Sequence, residues 1–266
     1  MDFYSIASGS SGNCIYIGTD STSILIDAGI SCKRITEALH GIDRGIQDLT
    51  AILVTHEHSD HISGLGVLSR KAHIPIYATP ATIRQMLRYA PLGRMDEELF
   101  HPIDADQPFA IGDMGIEAFR VSHDAADPVA YRVESGGRAA AVATDMGCYS
   151  HYTVNHLRDL DVLLIEANHD ENMLLAGPYP YPLKRRIQGE KGHLSNLSSA
   201  MLLSCLLNDH MNAVYLGHLS RTNNYPDLAY ATVVSELAMD PGCPYREGDI
   251  PIHVASREQP MELLRI

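Results

Sequence analysis

The run Thr55-His56-Glu57-His58-Ser59-Asp60-His61 constrains this chain more than any other feature. It follows Ala51-Ile52-Leu53-Val54, an apolar stretch that reads as a buried strand ending at Thr55. His56 and His58 leave that strand two residues apart, so their rings can point to the same side. Asp60 and His61 then follow around a loop and present a second set of ligand groups. Imidazole and carboxylate together suit zinc, manganese or iron, whereas calcium prefers cages built from oxygen alone. Any fold proposed for this chain must therefore bring a strand end to a metal.

Three further ligand-type side chains stand at strand ends. His123 follows Phe119-Arg120-Val121-Ser122, Asp145 follows the apolar stretch 139–143, and His218 follows Val214-Tyr215-Leu216-Gly217. Around them the pattern predicts strands over 3–7, 14–17 and 23–27, with a Gly/Ser/Asn hairpin connection at 8–13. Short helices are expected within 35–39, 65–71 and 81–89, the last started by Pro80. Strands at 116–121, 130–134 and 139–143 come next. Helices over 149–158, 196–207 and 226–238 then alternate with strands over 162–166 and 213–216. Strands first, an inserted helix, more strands and then alternation fit an α/β fold. The expected form is a four-layer αβ/βα sandwich with two mixed sheets, whose strand ends converge on one rim.

With no linker, repeat or low-complexity tract in 266 residues, a single domain over 1–266 is expected. No window approaches eighteen uninterrupted apolar residues, which excludes a membrane-spanning helix. The N-terminal residues lack a basic n-region, and five cysteines without CxxC spacing fit a reduced chain, so a cytoplasmic setting is expected. A net charge of -13 disfavours broad attraction to nucleic acid but leaves room for a local basic groove. GxSxG, GxxxxGK[ST] and GxGxxG are all missing, so the histidines carry the chemistry.

HxHxDH, His123, Asp145 and His218, taken in order, resemble the ligand motifs of the metallo-β-lactamase superfamily. Ile26-Asp27-Ala28-Gly29 is similar to that superfamily's first motif, whose Asp supports the ligand loop. The resemblance implies two divalent metal ions per chain, zinc or manganese with iron as an option. His56, His58 and His123 would hold one metal, Asp60, His61 and His218 the other, and Asp145 would bridge them. The expected catalytic residues are Asp60, Glu166 and His193.

Phosphodiesters are the expected substrate class. Gly217-His218-Leu219-Ser220-Arg221 resembles the ending of ribonuclease Z-like enzymes, and Leu164-Ile165-Glu166 with Gly192-His193-Leu194 resembles their paired Glu and His motifs. Expected contacts to phosphate or sugar are Ser220, Arg221, Asn223 and Asn224, with Lys184, Arg185 and Arg186 along the strand's path. Tyr179 and Tyr181 could stack on a base or pack their loop. Only 21 residues separate His123 from Asp145 and 72 separate Asp145 from His218, too few for a tRNA-binding arm or a β-CASP domain. Together with Ser8-Gly9-Ser10-Ser11-Gly12-Asn13 and Glu166-Ala167-Asn168-His169-Asp170, these features resemble the WalJ/YycJ family. That resemblance implies a 5′→3′ DNA exonuclease associated with the WalRK system, with no membrane partner and no indication of oligomeric state. The alternative is a small-molecule metallohydrolase, either a cyclic phosphodiesterase or a glyoxalase II- or lactonase-like enzyme. It would leave Glu166, His193 and the basic stretch without a task.

Overall fold

Alternating burial and turn chemistry build the first of two compact units, which comprises Met1–Arg120, Ala125–Arg138 and Ser256–Ile266 in the computed structural model. The structure describes residues 1–243, 245–246 and 248–266. β1 (Asp2–Ala7), β2 (Cys14–Gly18) and β3 (Ser23–Ile26) are antiparallel, with the expected hairpin connection between β1 and β2. α1 (Cys32–His40) is capped by the Ser31 hydroxyl and buries Ile35 and Leu39, four apart on one face. β4 (Ala51–Leu53) then lies parallel to β3.

The predicted strand over 51–55 stops at Leu53. Asp60 and His61, expected on a loop, lie instead on a one-turn helix, α2 (Ser59–Ile62). α3 (Leu65–Ala72) and α4 (Pro80–Arg88) follow, with β5 (Ile76–Ala78) between them and β6 (Phe100–Pro102) after. A meander of β7 (Phe109–Ile111), β8 (Met114–Arg120) and β9 (Val129–Ser135) completes this stretch. The core of the unit gathers Tyr4, Ile6, Tyr16, Leu25, Leu39, Ile52 and Leu68.

The second unit comprises Val121–Asp124 and Ala139–Ala255. Here β10 (Arg138–Ala143), α5 (His151–His156) and β11 (Val162–Glu166) precede two helices that the sequence reading did not anticipate, α6 (Glu171–Ala176) and α7 (Tyr181–Gln188). Gly177, Pro178, Pro180 and Pro182 mark the segment as a loop in sequence, yet proline is well suited to the first turn of a helix. α8 (Asn196–Ser204), β12 (Ala213–Gly217), α9 (Pro226–Met239) and β13 (Ile252–Val254) complete the unit, with α8 against α9. β14 (Leu264–Arg265) returns to pair with β1.

The strands fall into two mixed sheets of seven, the first ordered β14-β1-β2-β3-β4-β5-β6 and the second containing β7 to β13. β10, β11, β12 and β13 run parallel. Their inner strands are buried almost throughout, as expected for parallel strands covered on both faces. No helix among the described residues is long and apolar enough to cross a membrane.

Candidate metal centre

In the first unit the HxHxDH residues are held from behind by Asp27, which sits in the left-handed region at φ 62°. Its Oδ1 accepts the Thr55 backbone N–H at 2.8 Å, and its Oδ2 accepts the Thr55 hydroxyl at 2.8 Å and His61 Nδ1–H at 2.7 Å. Having spent its proton on Asp27, the Thr55 hydroxyl can accept His56 Nδ1–H at 3.0 Å. These bonds fix both tautomers and leave the Nε2 lone pairs of His56 and His61 outward, the protonation a metal ligand needs. His56 and His61 are buried, as is Asp27. Gly29 is obligatory here, because a Cβ would stand 1.7 Å from the Asp60 carbonyl oxygen.

Donor spacing tests whether the group fits a cation. Two ligands sharing one tetrahedral zinc, at about 2.0–2.1 Å each, stand about 3.3 Å apart. His56 Nε2 and His58 Nδ1 are 3.1 Å apart, and His61 Nε2 is 3.5 Å from Asp60 Oδ2. Both pairs match.

The second unit assembles its donors differently. Asp145, Glu166 and His218 stand at or just beyond the C-terminal ends of the parallel strands β10, β11 and β12, so topology alone brings them together. Asp145 and His218 also take left-handed backbone, at φ 58° and 55°, a conformation that such residues hold at modest cost and that collects at functional sites. Asp145 Oδ1 lies 3.5 Å from His123 Nε2 and 3.6 Å from the Nδ1 atoms of His193 and His218. Asp145, Glu166, His193 and His218 each offer a donor atom within 4.8 Å of the others. His123 Nδ1–H donates to the Gly192 carbonyl at 3.1 Å, again turning Nε2 outward.

Glu166 is the pivot of this cluster. Fully buried, its Oε1 accepts His193 Nδ1–H at 2.8 Å and His218 Nδ1–H at 2.7 Å, while Oε2 accepts the Met146 and Leu194 backbone N–H groups. Burial alone would push its carboxyl up, but the two imidazoles outweigh burial and hold it well below the usual carboxylate range. Burial likewise disfavours the charged form of His193, and the Glu166 carboxylate outweighs it, so the imidazole sits above its ordinary value. His193 is therefore anchored at Nδ1, with Nε2 turned away from Glu166.

The residues expected along the substrate divide. Arg221, Arg185 and Arg186 are exposed, and Lys184 is half-buried. Lys184 Nζ donates to the Leu175 carbonyl at 2.6 Å, and Arg186 Nε donates to Asp124 Oδ2 at 2.5 Å. The Ser220 hydroxyl accepts the Thr222 and Asn223 backbone N–H groups. Asn223 is fully buried, and neither of its amide atoms has a hydrogen-bond partner among the described residues.

Asn224, expected to contact phosphate or sugar, is bonded within the fold. Its Nδ2 donates to Ala167 O, Asn168 O and Asn196 Oδ1, and its Oδ1 accepts the Tyr225 N–H. Both of its protons are engaged inside the fold, where they tie the turn after β12 to the turn after β11.

Three contributors escaped sequence reasoning. Thr55 relays Asp27 to His56. Asn13 brings Nδ2 to 3.1 Å from His61 Nε2, and its backbone N–H donates to Asp60 O. Asp124 pairs with Arg186 and stands 3.5 Å from His123 Nε2. Asn13 ends the Gly/Ser/Asn connection, where turn chemistry masks a contact 48 residues away.

Residues 22–218 match the Beta-lactamase superfamily domain. A protein named Exodeoxyribonuclease WalJ, from Streptococcus pneumoniae serotype 2 (strain D39), is 44% identical over 236 residues, covering 88% of each chain. Exodeoxyribonuclease YycJ of Bacillus anthracis is 39% identical over 245 residues, covering 89% of each. Among solved structures, the metallo-beta-lactamase fold protein YhfI of Bacillus subtilis covers 98% of both chains at 16% identity with a TM-score of 0.71, a likeness in fold. The expected architecture is thus the observed one, and its clusters of His and carboxylate fit divalent metal ions. The chain belongs to the metallo-β-lactamase superfamily and, within it, to the WalJ/YycJ family.

Proposed function

We propose that the protein is a metal-dependent exodeoxyribonuclease that removes nucleotides from DNA in the 5′→3′ direction. The observation that carries this reading is Glu166 accepting Nδ1–H from both His193 and His218. One carboxylate thereby orients a ligand histidine and an acid histidine together. The names of the relatives, both exodeoxyribonucleases, support DNA as substrate.

Two divalent ions, zinc or manganese, are proposed. His56, His58 and His123 would hold one, Asp60, His61 and His218 the other, and Asp145 would bridge them, as in the superfamily. Bound there, the ions would supply an acidified water and positive charge against the phosphate oxygens. The chain's own contribution is proton handling. His193 would give the proton at Nε2 to the departing sugar oxygen as the phosphorus–oxygen bond breaks, while Glu166 stabilises the imidazolium that provides it. Asp27 would keep His61 in the correct tautomer throughout. Arg221 and Arg185 would meet the flanking phosphates. A cytoplasmic setting and an association with the WalRK system go with this proposal, on family resemblance alone.

The test is hydrolysis of end-labelled DNA by manganese- or zinc-loaded protein, with bis-p-nitrophenyl phosphate and a thioester alongside. Progressive loss from the 5′ end is the expected result. Thioester turnover without phosphodiester cleavage would overturn the substrate class and leave the metal centre standing.

A further inference from the structure

We propose that the outward face of α7 is a docking surface for single-stranded DNA, with one base stacked on Tyr181 and the adjoining phosphates on Lys184 and Arg185. The proposal rests on the DNA reading above and concerns how the strand is held. Leu183 and Ile187, four residues apart, form the inward side of α7, and Ile187 is buried. Tyr181, Lys184, Arg185 and Gln188 fall at helical positions i, i+3, i+4 and i+7, a single stripe on the other side. Tyr181 is 72% exposed, the most exposed large hydrophobic side chain among the described residues.

One exposed ring is ordinary, but this one is held in place. Pro178 and Pro180 precede it and Pro182 follows it, so the backbone that carries it has little freedom to lose on binding. Charge points to the occupant. In a chain with 33 acidic against 20 basic residues, Lys184, Arg185 and Arg186 are consecutive. The Arg185 guanidinium makes no hydrogen bond or ion pair with any described residue. Lys184 keeps two N–H donors beyond the one spent on Leu175 O. An aromatic face followed by cations within about 6 Å of helix suits a stacked base and its phosphates. A base within a duplex has both faces covered by its neighbours, so the partner is a single strand.

The stripe also leads toward the acid. The Ile187 carbonyl accepts the His193 backbone N–H at 2.9 Å, the Gly192 carbonyl accepts His123 Nδ1–H, and Arg186 is fastened to Asp124, next to His123. A strand lying along α7 therefore ends near residues that hold both imidazoles.

The experiment measures binding of a fluorescent single-stranded 12-mer by metal-loaded protein in a His193→Ala background, where turnover is slow. The partner oligonucleotide carries an abasic residue at one position after another. Tyr181→Ala should weaken binding about tenfold, and one abasic position should cost the parent a similar factor. In Tyr181→Ala that abasic position should cost nothing further, while Tyr181→Phe should bind as the parent does. Arg185→Ala should reduce the salt dependence by about one unit of slope. Unchanged binding by Tyr181→Ala, with DNA still bound and degraded by the intact enzyme, overturns the surface and spares the exonuclease reading. Equal affinity of the parent for a blunt duplex also overturns it. Absence of DNA binding and of DNA cleavage overturns both.

Discussion

The two clusters of candidate metal ligands, one in each unit, are built by opposite strategies. In the first unit four donors lie within six residues, His56 to His61, supported by one aspartate, Asp27, and a hydroxyl relay. In the second the donors are dispersed from His123 to His218, and Glu166 joins what the sequence keeps apart. The contiguous cluster is specified by local spacing and therefore has little tolerance for insertion. The dispersed cluster is specified by the parallel order of β10, β11 and β12, so its loops can vary while the strand ends stay together.

The largest expected effect falls on Asp145, the carboxylate proposed above to serve both ions. Asp145→Ala should abolish metal binding by elemental analysis, and activity with it; full occupancy would remove Asp145 from the ligand set. His193→Ala comes next, lowering kcat about 10²–10⁴-fold with both metals retained. Loss of metal in that variant would make His193 a ligand and erase the division between holding and proton transfer. In the contiguous cluster, Asp27→Asn should weaken metal binding about 10–100-fold, because it blunts the support for His61 and Thr55 without removing a ligand. An unchanged affinity would show that the loop needs no such support.

Gly192→Ala sharpens the comparison at a crowded point of the dispersed cluster. A Cβ there would stand 2.0 Å from the Ile187 carbonyl oxygen, so Gly192 must shift and with it its own carbonyl, which orients His123. A loss of about 1–3 kcal/mol in stability is expected, with weaker metal retention.

The last effect is in pH. Burial drives the His169 imidazole down to about 4 from its ordinary 6.5. The unfolded chain binds the proton first, so this contribution to stability is complete above about pH 6.5 and is lost as pH falls toward 4. It is worth at most about 3 kcal/mol. Denaturation of the wild type and of His169→Asn across pH 4–7 should show the variant's curve flatter.

HxHxDH was legible because its information is local: a strand end, a two-residue spacing and rare residue types. Asp145 and His218 were legible as polar residues closing apolar runs, the signature of a buried parallel strand. α6 and α7 were not, since their prolines and Gly177 read as loop until packing of Ile187 and Leu174 makes helix worthwhile. The bonds of Asn224 were hidden for a related reason: a polar residue beside a proposed ligand looks equally available to substrate and to the fold, and its contacts with Ala167 and Asn168 are not visible along the chain.

The sequence by itself therefore determined the donor types, their order and the family to which they belong. The tertiary structure decided which nitrogen of each imidazole faces outward, that Glu166 serves two histidines, and that Arg186 is bound to Asp124. Those matters depend on hydrogen-bond partners up to 69 residues distant, and no spacing rule along the chain reaches that far.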